Sequence, residues 1–194
     1  ARLARAKQLG LIPVPTPGGT LNLRESGPST GLRASVRRLP YRSLIAMGFR
    51  PPGNSDTAGT RTDMINPFLN IYGLVTRTNA SGVAVQPEEA LSVTDALRVY
   101  SLFGAYAGFD EHLKGSLEPG KLADLIVVRM DQARQTPMYE PVSHLVYTTR
   151  GDDVDTTIVN GRVLMRSGRV LTLNEAQVLD AARVAAGAVR AAVQ

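Results

Sequence analysis

The stretch Gly115-Ser116-Leu117-Glu118-Pro119-Gly120-Lys121-Leu122-Ala123-Asp124-Leu125-Ile126-Val127-Val128 separates two kinds of sequence. Pro119 fixes φ and Gly120 supplies a permissive position, so the first half reads as a turn. Lys121 and Asp124 then flank the entry to Leu125–Val128, a short apolar run that reads as a strand. Asp124 is placed to cap backbone N–H groups of the turn. At Gly115 the apolar period changes from that of helices to that of strands.

Downstream, Val142 to Thr149 reads as a second strand, and Asp155 to Met165 as a hairpin. The hairpin turn is Asn160-Gly161, a pair that tolerates the positive φ values a two-residue turn demands. Ser167-Gly168 is a second such turn and leads into Val170–Leu173. An Ala-rich helix closes the chain from about Asn174, with Leu179, Ala182, Ala186, Val189 and Val193 as its stripe.

Upstream, Ser92-Val93-Thr94-Asp95 has the pattern of a capping box and starts the clearest helix. From Val99 that helix is apolar nearly all round, which predicts burial on more than one side. Residues 66–78 carry Phe68, Leu69, Ile71, Tyr72, Leu74 and Val75 at helical spacing, with Pro67 in the first turn. Tyr41 to Gly48 is a short helix, and residues 1–9 end a helix at Gly10. Leu11–Pro15 is strand-like but carries Pro13 and Pro15, which cannot donate to a ladder. Thr16 to Tyr41 is a long irregular segment rich in Gly, Pro, Ser and Thr.

The chain has 194 residues, 20% of them charged, and no Cys, so disulfides and thiolate metal sites are excluded. No run approaches the roughly 18 apolar residues of a membrane span. No apolar stretch follows the charges of residues 1–10 as it would in a signal peptide, and the expected location is the cytoplasm. Residues 1–50 hold nine Lys or Arg against Glu25 alone, within a net charge of +5. Aromatics interleaved with those charges would mark nucleic-acid binding; they are missing, so neither nucleic acid nor membrane is an expected partner. A basic flank then expects an acidic surface, such as more of the same protein.

The stretch from Gly115 to Val128 resembles the hallmark of the C-terminal region of the amidohydrolase superfamily, where the chain leaves the last barrel helix and enters a small β-sandwich. Glu89–Tyr100 is similar to the family's last barrel helix, and Val154–Leu164 to its closing hairpin. The wording around Asn66-Pro67-Phe68 and Val75-Thr76-Arg77 resembles amidohydrolase family 3. The resemblance implies an α/β fold: the C-terminal part of a (β/α)8 TIM-like barrel, strands of the composite β-sandwich, and a C-terminal helix. Its divisions fall at 1–114 for barrel segments, 115–173 for sandwich strands and 174–194 for the helix. A barrel needs about 250 residues, so the remaining N-terminal barrel segments are expected either on another chain of an oligomer or as a part lost through truncation or processing.

The resemblance also assigns a site. Ser55-Asp56 matches the family's Asp at the end of the eighth barrel strand, which makes Asp56 both the expected catalytic residue and a metal ligand. It implies a divalent metal, zinc first, and a small-molecule substrate whose amide, cyclic amide or related C–N bond is hydrolysed. On the residues alone, Asn-Ser-Asp-Thr is also a common turn composition. The segment departs from the family, with Pro51-Pro52-Gly53 where an apolar strand is usual. His112 reads as a surface residue and His144 as a sandwich or interface histidine. Neither is expected to join Asp56, and a catalytic zinc needs three protein ligands, so the isolated chain is expected to be inactive. Arg37 and Arg38 could meet an anionic substrate or another chain, and Arg77 reads as internally paired. Pro17-Gly18-Gly19-Thr20 lacks the Lys of a phosphate loop. The alternative function is a non-catalytic binding or scaffold module that kept the fold and lost the site.

Overall fold

The computed structural model describes residues 2–17, 20, 39–56 and 65–193. They form two compact units. The first comprises the described residues up to Lys121 together with Met130–Gly151; the second comprises Leu122–Arg129 and the residues from Asp152 onward.

The first unit is helical. Its elements are α1 (Arg2–Gln8), α2 (Tyr41–Ala46), α3 (Pro67–Thr76), α4 (Val93–Val99), α5 (Leu102–Ala107) and α6 (Pro141–Tyr147). Local chemistry starts each of the central helices. The Asn66 side chain accepts from Phe68 N–H (3.0 Å) with Pro67 in the first turn of α3. Ser92 Oγ accepts from Asp95 N–H (3.1 Å) at the start of α4, as its capping pattern predicts. Helix α3 packs against α4 and α6. Tyr41, Leu44, Phe68, Ile71, Leu74, Ala96, Val99, Phe103 and Val146 are buried, and Leu91 N–H donates to Leu74 O (3.0 Å).

Two readings are corrected. The helix expected to run on from Ser92 stops at Val99. Ser101 takes φ −129° and ψ −89°, outside the helical region, before α5 begins. At the stop, Val99 O accepts from Gly53 N–H (2.9 Å). The second correction is Val142 to Thr149, which is not a strand. Glu140 caps α6, its carboxylate accepting from Ser143 N–H (2.5 Å), and Pro141 occupies the first turn. An extended residue followed by Pro is a helix-start signal. It outweighs the β-branched content of the run, whose Val142, Leu145 and Val146 share a helical face.

The second unit is a four-stranded antiparallel sheet in the order β1 (Leu125–Val128), β2 (Val154–Val159), β3 (Arg162–Arg166), β4 (Arg169–Val170). The register pairs Leu125 with Ile158 and Val159 with Arg162. Asn160 (φ 49°) and Gly161 (φ 73°) both take the left-handed values that their turn requires. Helix α7 (Glu175–Val193) follows, exposed along its described side chains. Ile126 and Val127 are adjacent and therefore point to opposite faces, yet each is about half exposed, at 49% and 48%.

Lys121 and Asp124, which flank the strand entry, have separate tasks. Lys121 Nζ donates to Glu111 O (2.7 Å) and Ser116 Oγ (2.6 Å) within the first unit, and sits 3.5 Å from the Glu118 carboxylate. The Ser116 hydroxyl and the Lys121 charge hold the Glu118 carboxyl below its ordinary range. Asp124 belongs to the second unit. Its Oδ1 accepts from Asn160 N–H (2.6 Å), so it caps the neighbouring hairpin rather than its own turn.

Candidate functional site

Asp56 closes a segment without regular secondary structure that begins at Phe49. The segment holds two prolines, Pro51 and Pro52, and faces another proline-bearing segment, Leu11–Thr16. Prolines have no N–H to give a backbone ladder, and neither segment is a strand. Side chains hold the segments instead. Tyr41 Oη lies 2.6 Å from Pro15 O and 3.1 Å from Pro52 O, so its one proton is shared between two carbonyls. Asn54 Nδ2 donates to Pro15 O (2.9 Å). Tyr100 Oη donates to Asn54 O (3.3 Å).

Burial pushes the Tyr41 phenol well above its ordinary range, with the neighbouring Tyr100 phenol adding to the shift. Burial likewise raises Tyr100, partly offset by a hydrogen bond with Asn70. Both phenols therefore stay protonated and act as donors. The Tyr100 ring also backs the segment: a Cβ on Gly53 would come within 2.7 Å of it. Two residues beyond the anchored Asn54, Asp56 has left-handed φ (47°) and is exposed.

His112 is exposed in the turns after α5. His144 is on α6, half-buried, with Nδ1 enclosed and without a hydrogen-bond partner among the described residues. It is a helix residue of the first unit, not a sandwich histidine. Among the described residues no three His, Cys, Asp or Glu come together as a metal-holding group. A metal site does not fit the described residues taken alone. Arg77 is buried at the C-cap of α3, where Nε donates to Val85 O (3.2 Å) and Nη1 to Leu39 O (3.4 Å). It is an internal residue, as expected. Arg37 and Arg38, and Gly18 and Gly19 of the discounted phosphate-loop pattern, lie outside the described residues.

Tyr41, Asn54 and Tyr100 did not stand out in the sequence. Only the density of prolines around them signals that something other than backbone must carry the hydrogen bonds.

Residues 1–165 match the model of the amidohydrolase family, and the chain belongs to that family. It is 45% identical over 135 residues to a 5'-deoxyadenosine deaminase of Methanosarcina acetivorans, covering 69% of this chain and 31% of that protein. It is 34% identical over 154 residues to a 5-methylthioadenosine/S-adenosylhomocysteine deaminase of Moorella thermoacetica, covering 78% of this chain and 34% of that one. Among solved structures, an adenosine deaminase from Xanthomonas campestris with bound zinc superposes with TM-score 0.70 at 21% identity, over 97% of this chain and 46% of its own. Atrazine chlorohydrolase from Arthrobacter aurescens, complexed with zinc and atraton, superposes with TM-score 0.60 at 20% identity, over 75% and 31%. At these identities the superpositions establish the fold alone. The chain spans about a third of the length of the curated relatives it matches.

Proposed function

We propose that this chain is the C-terminal part of a metal-dependent hydrolase of small-molecule C–N bonds: the last segments of a (β/α)8 barrel, strands of a small β-sandwich and a closing helix. The observation that carries the reading is the family match across residues 1–165, with Asp56 at the end of the Phe49–Asp56 segment. The relatives' names point to an amine on a purine nucleoside as one C–N bond to test, beside amides and cyclic amides.

In this reading Asp56 is the proton acceptor for the attacking water and one ligand of a divalent metal, and the remaining ligands come from outside the described residues. Such a metal activates water and substrate when bound. Zinc is the favoured ion because two of the solved relatives hold it. Exposure of Asp56 suits this role, since its carboxylate must face what completes the site. The basic residues of 1–50 and the apolar side chains left open on both faces of the sheet suit docking to further barrel segments, supplied by another part of the protein or another chain. No helix among the described residues is long and apolar enough to cross a membrane; a cytoplasmic enzyme is the proposal.

The test is hydrolysis by the complete enzyme of 5'-deoxyadenosine, an N-acyl amino acid and a dihydropyrimidine, read as released ammonia, free amino acid and ring-opened ureido acid respectively. Turnover of one of them is expected. Asp56→Asn keeps the shape of the side chain but removes the base, and should lower kcat about 10²- to 10⁴-fold with the melting temperature unchanged. Near wild-type turnover would show that Asp56 is a turn residue only. No turnover of any C–N substrate would favour the scaffold module.

A further inference from the structure

Proline chemistry around the candidate site leads to a further assignment. Leu11–Thr16 carries Pro13 and Pro15, and Phe49–Asp56 carries Pro51 and Pro52. Neighbouring extended segments ordinarily fix their register through alternating N–H and C=O pairs. Here the prolines remove donors from both segments, and carbonyls are left in excess. Pro15 O meets this excess with two side-chain donors, Tyr41 Oη (2.6 Å) and Asn54 Nδ2 (2.9 Å), and Pro52 O shares the same Tyr41 proton (3.1 Å). Asn54 is fixed a second time through its backbone, where its carbonyl accepts from Tyr100 Oη (3.3 Å). The preceding Gly53 N–H is held by Val99 O (2.9 Å). On this segment the anchors fall at Pro52, Gly53 and Asn54, two to four residues before Asp56, and Pro51 and Pro52 are buried.

We infer that Tyr41 and Asn54 are positioning residues that replace the missing backbone ladder and set where the Asp56 carboxylate is presented. The inference rests on the reading of Asp56 given above. Asn54 ties its own segment to Pro15 from the side, Tyr41 straddles both segments from α2, and neither touches the reacting groups. Their effect should therefore fall on the chemical step more than on substrate binding. Supports of this kind are typically worth about 10- to 100-fold in activity.

The experiment uses the complete enzyme and three variants, Tyr41→Phe, Asn54→Ala and Asn79→Ala. Tyr41→Phe removes one oxygen and keeps the ring, so the fold survives if Asn54→Ala proves too damaging. Asn79 is the matched control. Its side chain is likewise bonded to backbone, though as an acceptor, Oδ1 taking the N–H groups of Ser81 (3.0 Å) and Val83 (2.9 Å) in a turn outside residues 49–56. Two quantities are measured: kcat and KM on 5'-deoxyadenosine or whichever substrate of the assay above is turned over, and amide hydrogen exchange of the peptide 49–56. Expected are a kcat lowered about 10- to 100-fold with KM within about twofold, and faster exchange in 49–56, for Tyr41→Phe and Asn54→Ala alike. Asn79→Ala should move neither quantity. Unchanged kcat together with unchanged exchange in Tyr41→Phe would overturn the assignment, as would a loss confined to KM or a kcat loss equally large in Asn79→Ala. Asp56→Asn run in parallel keeps the two claims apart. If it retains turnover, the Asp56 reading has failed; if it is inactive while Tyr41→Phe is normal, only the positioning claim has.

Discussion

At Gly53 the chain passes so close to the Tyr100 ring that only a residue without Cβ fits. A Gly53→Ala substitution must push the ring or the segment aside, at a cost of about 1–3 kcal/mol. A lowered melting temperature checks it; a melt equal to wild type would mean that the ring yields freely. A second residue reports through pH. Glu140 caps α6, and the hydrogen bond from Ser143 N–H holds its carboxyl below the ordinary range. A group with a depressed folded-state pKa contributes stability above its unfolded value, near 4.3, and loses it as pH falls through the folded value. Glu140→Gln should therefore melt lower than wild type at pH 7, with the gap closing below about pH 4. A gap that stays constant from pH 7 to 3 would show that the ionised cap contributes nothing.

Elements were legible where local chemistry and hydrophobic period agreed. Asn66-Pro67 and Ser92 announce α3 and α4, and Asn160-Gly161 announces the hairpin with its two positive φ values. Two elements were misread where those signals conflicted. Val142 to Thr149 has the β-branched look of a strand, yet Glu140-Pro141 caps it as a helix. The helix from Ser92 has an apolar period running past Val99, yet it ends where Val99 O meets Gly53 N–H, a contact between residues far apart in sequence. Of the candidate site, Asp56 could be proposed through the family resemblance of Ser55-Asp56, whereas the Tyr41–Asn54–Tyr100 support joins residues from three separate segments. At Gly115 the turn has φ 90°, and a Cβ there would lie 2.6 Å from that of Ala105. Gly115→Ala therefore combines backbone strain, of order 1–3 kcal/mol, with a clash against α5. It should lower the melting temperature more than Gly120→Ala, where the same φ of 90° meets open space. Equal losses would mean that the packing against α5 is irrelevant.

For the whole molecule, the proposal is that this chain works only when completed. Large apolar side chains stand open in the second unit, among them Leu171, Leu173, Val178, Leu179 and Val184, and exposed apolar surface in quantity marks interaction sites. An interface above the roughly 1,600 Å² of a standard complex is expected between residues 1–110 and the barrel segments that complete the site. The most direct measurement takes this 194-residue chain, the complete enzyme and its Asp56→Asn variant through one C–N hydrolysis assay, with sedimentation run alongside. Turnover by the complete enzyme alone, with the isolated chain inactive and self-associating, is the predicted result. A compact, monodisperse, cooperatively melting monomer with no role for Asp56 in the complete protein would contradict it.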